Sequence, residues 1–456
     1  MEFVGREKEL SELEKSYARG GSAIMVYGRR RIGKTTLLER FCEGKRNLFL
    51  RCLRDSDSAN LEYFSDIISS FTGTTVRLSS FIDLMKELKN IIEDGKTVIV
   101  IDEFPYIASE TISSLCQHFI DRDLKRSDSL LILCGSYVSV MKKEGTDSGR
   151  PLYGRFRRMI RLGPMSFEET RLFHPGMSDE DSMKLYLTVG GVPRYHMELD
   201  CDTYEDCLKE NYILNDWMMD ETERLIDSEL SNPKRALSIL SAIGGGSTSL
   251  KEIAQKIGLD ETLCSKCIHV LMDMGIISIL NPMFDAPKRP VYIISDNLFA
   301  FRYMVLQKRS AFVTPEHVDE FYESIRNSIN TFLGKRFEYY CSEFIKKNFF
   351  TLEIGTWWMD RDDVHSEIDI TARISADNIN YDLFCECKFR KEPMSIRELE
   401  ILKMISERLS SRSNPRYLLF SLSGFDGKLT EYAKDDPLVH LIGPDELFGH
   451  EDIPYL

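Results

Sequence analysis

Tyr27-Gly28-Arg29-Arg30-Arg31-Ile32-Gly33-Lys34-Thr35-Thr36 is the stretch whose reading decides the fold of this 456-residue chain. It fits G-x-x-x-x-G-K-[ST], in which two glycines let the backbone wrap a polyphosphate with its N–H groups turned inward. The apolar residues 23–26 before it read as a strand, and Leu37-Leu38-Glu39-Arg40-Phe41 after it read as a helix. A helix opening at Lys34 adds its positive dipole end to the same oxyanions. In this frame the loop from Gly28 through Arg29, Arg30, Arg31, Ile32 and Gly33 to Thr36 holds a nucleoside triphosphate, taken here as ATP. Lys34 reaches the β- and γ-phosphates, and the Thr35 hydroxyl holds Mg²⁺.

Working outward, strand-like runs at residues 23–27, 97–101 and 130–134 alternate with helical patterns around 61–70, 81–93 and 111–124. The alternation predicts a parallel sheet covered by helices. Thr97-Val98-Ile99-Val100-Ile101-Asp102-Glu103 is a continuous apolar strand ending in two carboxylates. A strand buried on both faces delivers such acids to the carboxyl edge of the sheet, beside the loop. Asp102 is then the Mg²⁺ ligand, and Glu103 the base that activates the attacking water. Ser136, where the strand at 130–134 turns, would sit beside the γ-phosphate and report on it.

At this point the residues reach a family. Phe3-Val4-Gly5-Arg6-Glu7-Lys8-Glu9 resembles the hhGRExE segment that opens AAA+ ATPases of the STAND clade, and Gly190-Gly191-Val192-Pro193 resembles that clade's GxP element. With the phosphate loop, the acidic strand and Ser136, the first 220 or so residues resemble the archaeal-type P-loop ATPases. The resemblance implies an α/β core with a helical lid and nucleotide between them, with Gly5 and Arg6 along the adenine and ribose and Pro193 contributing from the lid. Pro151-Leu152-Tyr153-Gly154-Arg155 resembles the family's arginine segment, which makes Arg155 the arginine-finger candidate. Arg157, Arg158 and Arg161 follow closely, and a finger acting from a neighbour requires a homo-oligomer.

Composition bounds the rest. The length predicts two to four domains. Apolar and charged fractions of 43% and 29% are those of a globular protein. No apolar run approaches the ~20 residues that span a bilayer, so no membrane partner is expected. The eleven cysteines are scattered, several in apolar runs, and predict reduced core thiols in a cytoplasmic protein; Cys264 and Cys267 form a C-x-x-C with no partner pair, which favours packing over zinc. The first residues lack the basic and apolar regions of a signal peptide. A net charge of −14 argues against a protein that coats nucleic acid over its whole surface, leaving room only for a local basic patch.

After Asn232-Pro233 three helical patterns and two short strands follow. Ser249 and Glu252 predict a capping box, Gly258 ends that helix, and Asp260 caps the next. Strands at 275–277 and 290–294 complete a pattern that looks like a winged helix-turn-helix. Glu261, Lys266 and Asp273 suit phosphates poorly, whereas Lys288 and Arg289 on the wing suit them well, so DNA binding and a packing role both stay open.

From residue 331 a second site takes shape. A helix from Leu333 carries Glu338, residues 366–370 carry Asp369, and Leu383-Phe384-Cys385-Glu386-Cys387-Lys388 sets Glu386 and Lys388 on one face of a strand. This is similar to the D…E-x-K constellation of the PD-(D/E)XK nuclease-like superfamily. The resemblance implies Mg²⁺ on Glu338, Asp369 and Glu386, with Lys388 positioning the water. The alternative is a solvated acidic strand before a basic turn. Trp357-Trp358 reads as packing at the sheet edge, with substrate stacking the alternative.

The expected architecture is therefore α/β throughout: P-loop core 1–165, helical lid 166–230, winged helix-turn-helix 231–310, connecting helix 311–330, and restriction-endonuclease-like domain 331–456. The expected function is an ATP-hydrolysing switch controlling a metal-dependent nuclease on DNA. The alternative is a regulatory ATPase whose C-terminal domain only binds nucleic acid or protein.

Overall fold

A computed structural model of the protein describes residues 3–214, 217–230, 232–284, 290–307, 313–361, 364–409, 413–451 and 453. The chain divides into two packed units, one of Met1–Glu169 with Gly191–Met197, the other of Thr170–Gly190 with Glu198–Leu456. Residues 166–230, expected as one lid, are thus shared between the units.

The first unit holds a five-stranded sheet of β1 (Ser22–Tyr27), β2 (Asn47–Arg51), β3 (Val98–Asp102), β4 (Leu130–Gly135) and β5 (Phe156–Arg161) in the order β2-β3-β4-β1-β5. Every pairing is parallel. All residues of β3 and β4 are buried, as continuous Val/Ile/Leu runs demand when helices cover both faces. Helix Phe81–Asp94 shows the matching stripe, burying Phe81, Leu84, Leu88, Ile91 and Ile92 after Ser80 caps its start. These side chains join Leu48, Leu50, Ile99, Ile101 and Leu131 in one core. Each fully buried aliphatic side chain contributes about 1.5–3 kcal/mol, which fixes the carboxyl ends of β1, β3 and β4 as a rigid edge.

The second unit carries helices Pro233–Gly244, Leu250–Ile257 and Glu261–Asp273, then an antiparallel hairpin of β6 (Ile277–Leu280) and β7 (Val291–Ile294). Ser249 and Glu252 form the capping box, Gly258 closes that helix at φ 67°, and Asp260 caps the next. Cys264 is buried inside the third helix and Cys267 half-buried, in keeping with packing. Lys288 and Arg289 lie outside the described residues. A 31-residue helix, Val318–Asn348, follows. It runs straight through residue 331, where the sequence reading placed a boundary, because Leu333, Arg336 and Phe337 continue the buried stripe set by Tyr322, Ile325 and Ile329.

A second sheet of β8 (Thr351–Arg361), β9 (Val364–Ala376), β10 (Ile379–Lys388), β11 (Pro415–Ser421) and β12 (Val439–Ile442) has the order β12-β11-β10-β9-β8. β8, β9 and β10 are antiparallel, whereas β10, β11 and β12 are parallel. Helix Ile396–Ser406 makes the crossover between β10 and β11, capped by Ser395 and Glu398. Trp357 is 2% exposed within the core of this sheet, so it packs rather than stacks on a substrate.

One expectation about cysteine fails. Cys201 and Cys207 form a disulfide, because the turn before helix Tyr204–Leu208 brings their Cα atoms to 5.5 Å. Nine cysteines are free, all but Cys267 buried.

Candidate functional site

The phosphate loop links β1 to helix Lys34–Cys42 at the carboxyl edge of the first sheet. Gly33, at φ 87°, precedes the helix and offers no side-chain cap, so the first N–H groups of the helix are open to an anion. A Cβ at Gly28 would stand 2.4 Å from the Leu162 carbonyl, which explains why only glycine fits there. Lys34 is buried, its Nζ donating to the Ser136 Oγ at 2.8 Å and the Arg29 carbonyl at 3.1 Å. Ser136 in turn donates to Glu103 Oε1 at 2.6 Å. Lysine, serine and glutamate therefore form one relay from the loop to Glu103.

Thr35 donates to Asp102 Oδ2 at 2.8 Å. A hydroxyl and a fully buried carboxylate side by side at the loop are oxygen donors that would suit Mg²⁺. Glu103 adopts φ 53° and donates its N–H to Asp102 Oδ1 at 3.0 Å, a strained backbone that turns its carboxylate toward Ser136. Arg51, at the end of β2, sits 3.6 Å from Asp102 and was not anticipated, since β2 itself was not read.

Gly5 and Arg6 brace the loop rather than lie open. Both have positive φ, and the Arg6 guanidinium, 5% exposed, donates to the Ile32 carbonyl at 3.2 Å and the Gly163 carbonyl at 2.7 Å. Glu169 holds the Arg6 N–H at 2.9 Å and the Ser166 N–H at 2.8 Å. Gly191 packs so closely that a Cβ would sit 1.9 Å from the Met165 carbonyl, and Pro193 comes to 3.7 Å from the Cβ position of Gly33. The GxP element thus touches the phosphate loop. Arg30 bonds Tyr106 Oη at 2.6 Å, while Arg31 and Thr36 are exposed at the loop surface.

Arg155 is elsewhere. It precedes β5, and the parallel register Ala23↔Phe156 sets it at the amino edge of the sheet, with Asp121 at 3.3 Å. A six-residue strand separates it from the loop by roughly 20 Å. Within its own chain it does not reach the phosphates, whereas Arg161, opposite Tyr27, stands at the correct edge.

In the second unit Asp369 and Glu386 stand opposite one another, one step beyond the pair Ile370 and Cys385. Glu386 pairs with Lys388, Asp369 Oδ2 accepts the Cys387 N–H at 2.8 Å, and Glu338 meets Lys335 at 3.3 Å. Burial, followed by the charge of Asp369, raises Glu338 and Glu386 from 4.5 to about 7 each. Burial also raises Asp369 above the ordinary aspartate value. Burial works against the charge of Lys388, but Glu386 and Asp369 outweigh it and the lysine is raised. The three acids and the lysine of the predicted constellation therefore form one electrostatic cluster. Among the described residues, no three His, Cys, Asp or Glu side chains are already grouped to hold a metal ion. The reason is visible: each acid is turned to a cation or an N–H of the protein. Lys335, one helical turn before Glu338, belongs to the cluster and was not singled out in the sequence; its i, i+3 spacing to Glu338 is the signal that could have found it.

Residues 3–199 match the model of a family described as an ATPase domain predominantly from Archaea, and residues 301–401 match one of archaeal and bacterial proteins of unknown function. Residues 3–199 are thus an archaeal-type P-loop ATPase domain. An uncharacterised protein of Methanocaldococcus jannaschii is 27% identical over 461 residues, covering 93% of this chain and 100% of the relative. An uncharacterised ATP-binding protein of the same organism is 44% identical over 45 residues, covering 10% of this chain and 76% of the relative. The solved structure of a Walker-type ATPase of Pyrococcus abyssi covers 65% of this chain and 95% of its own, at 20% identity and a TM-score of 0.50, a likeness of fold. Among the described residues no helix is long and apolar enough to cross a membrane.

Proposed function

We propose that the chain is an ATP-hydrolysing switch of the AAA+/STAND type that controls a metal-dependent nuclease-like domain acting on DNA. The observation that carries the second half is the cluster of Glu338, Asp369 and Glu386 with Lys388 on a mixed sheet. Three acids whose proton affinity is raised by burial, two of them further by the charge of Asp369, are poised to exchange protons for a divalent cation. A Mg²⁺ ion there would supply charge neutralisation at phosphorus and a more acidic water. Lys388, released from Glu386, would orient the water that adds to phosphorus as the P–O ester bond breaks, leaving a phosphate monoester and a free hydroxyl.

In the first unit Glu103 takes the proton of the water attacking the γ-phosphate, and Ser136 couples that base to Lys34. Arg155, facing away from its own loop, would serve as a finger only toward a neighbouring copy in a homo-oligomer. The helices of residues 233–273 with the β6–β7 hairpin are read as a winged helix, and the helices following residue 166 as a lid.

The test is cleavage of supercoiled and single-stranded DNA with Mg²⁺ or Mn²⁺, with and without ATP, for wild type and Asp369→Ala. Metal-dependent nicking lost in the variant supports the nuclease, and a change with ATP supports the switch. No cleavage under any condition overturns it. The second reading, a regulatory ATPase whose C-terminal domain only binds nucleic acid or protein, then stands; the net charge of −14 and the inward-turned acids favour it.

A further inference from the structure

Glu338 and Asp369 are half-buried. Both line a cavity of about 560 Å³, with Glu367 and Thr356 on its sheet side and Lys335 on its helix side. The β6–β7 hairpin supplies the opposite wall through Leu280, Tyr292 and Ile294. That wall is fastened to the sheet. The Met283 N–H donates to the Thr356 carbonyl at 3.0 Å, and the Thr356 N–H donates to the Asn281 carbonyl at 3.2 Å. A strap from the hairpin thus pairs with edge strand β8, and a Cβ at Gly355 would stand only 1.9 Å from the Asn281 carbonyl. Phe284 then packs on Phe384, with ring centroids 5.4 Å apart. On the helix side Arg336 donates to the Ile294 carbonyl at 3.0 Å and the Ser295 carbonyl at 2.7 Å, tying the same hairpin down.

The lining suits one kind of guest. Tyr292, Tyr339 and Trp358 present aromatic surface to the cavity, and bases stack on such faces without regard to sequence. Arg336, also in the lining, is 4% exposed, and among the described residues its Nε is buried with no hydrogen-bond partner. The volume falls in the range of about 300–1,000 Å³ that encloses one small-molecule-sized group. A nucleotide is such a group; a base pair with both of its sugar-phosphate chains is not. From the strap, the aromatic lining and the volume we infer that this site accepts an unpaired nucleic-acid strand and excludes paired duplex. The chemistry performed there rests on the nuclease reading given above; the choice of strand does not.

Binding and cleavage by the full-length protein separate the two. Binding is read as the anisotropy of a labelled oligothymidylate in Ca²⁺, competed by a relaxed, closed-circular duplex. Cleavage is read on both in Mn²⁺. The expected result is strand binding at least tenfold tighter than duplex binding, weakened about tenfold or more by Trp358→Ala through the lost stacking. Gly355→Val, which forces the Asn281 carbonyl away, is expected to narrow the preference by admitting duplex; Trp358→Ala carries the test if that variant does not fold. Selective strand binding that needs Trp358, without cleavage, upholds the inference and sinks the nuclease. Asp369-dependent cleavage of duplex as fast as of strand upholds the nuclease and overturns the inference. Binding of neither, or equal binding of both untouched by Trp358→Ala, also overturns it.

Discussion

Three side chains at the phosphate edge hold one another in check. Lys34 donates to Ser136 and Ser136 donates to Glu103, so the lysine and the glutamate are occupied with the serine between them. Drawing Lys34 onto phosphate removes a donor from Ser136 and leaves Glu103, among the described residues, the charged partner of the hydroxyl. Lys34→Ala is therefore expected to abolish nucleotide binding, read by titration calorimetry with ATP; unchanged affinity would remove the loop from consideration. Glu103→Gln is expected to retain ATP while turnover drops about 10²–10⁴-fold in a phosphate-release assay. Retained turnover would move the base to another residue. Lys34, Thr35, Asp102, Glu103 and Ser136 were legible because spacing along a strand–loop–helix unit dictates where their side chains meet. The brace made by Arg6 was not, since its partner Glu169 is 163 residues away and a lone glutamate carries no pattern. Arg155 marks the opposite limit: the resemblance picks out the arginine, and only strand pairing reveals which edge of the sheet it occupies.

Elements were read where their burial was simple. β3 and β4 are apolar throughout and announce themselves. β5, Phe-Arg-Arg-Met-Ile-Arg, does not, because it lies at the sheet edge where arginines can face water. β8 and β12 are edge strands too and escaped for the same reason. The long helix Val318–Asn348 was expected as two pieces, a connecting helix over 311–330 and a second helix from Leu333. Its buried Arg336, bonded to the carbonyls of Ile294 and Ser295, acts as a rivet between helix and hairpin. Replacing it by alanine strands those acceptors, and a loss of about 3 kcal/mol is expected in urea unfolding. A loss below about 0.5 kcal/mol would show that the hairpin is held by other contacts.

For the molecule as a whole, the acid cluster predicts how stability answers to pH and metal. Glu338 and Glu386 stand near 7 in the fold against 4.5 ordinarily, so the folded state binds protons that the unfolded chain has released. Their contribution is full below about 4.5 and is lost as pH rises through 7. The melting temperature should fall from about pH 5 to pH 8, less so in Glu386→Gln, and Mg²⁺ should restore more at the upper pH, where no proton competes. Scanning fluorimetry checks this; equal slopes for wild type and variant would show that the cluster does not govern the trend.

The chain leaves the first unit after Glu169, returns at Gly191 and leaves again after Met197. That thread has an evolutionary meaning. A recombination event ending at the last strand would inherit the sheet but forfeit Pro193, the residue lying against Gly33. An exchange of this ATPase between genes that keeps Pro193 has to extend past it, and the family match ends at residue 199. The heritable module is longer than the domain that the eye would cut.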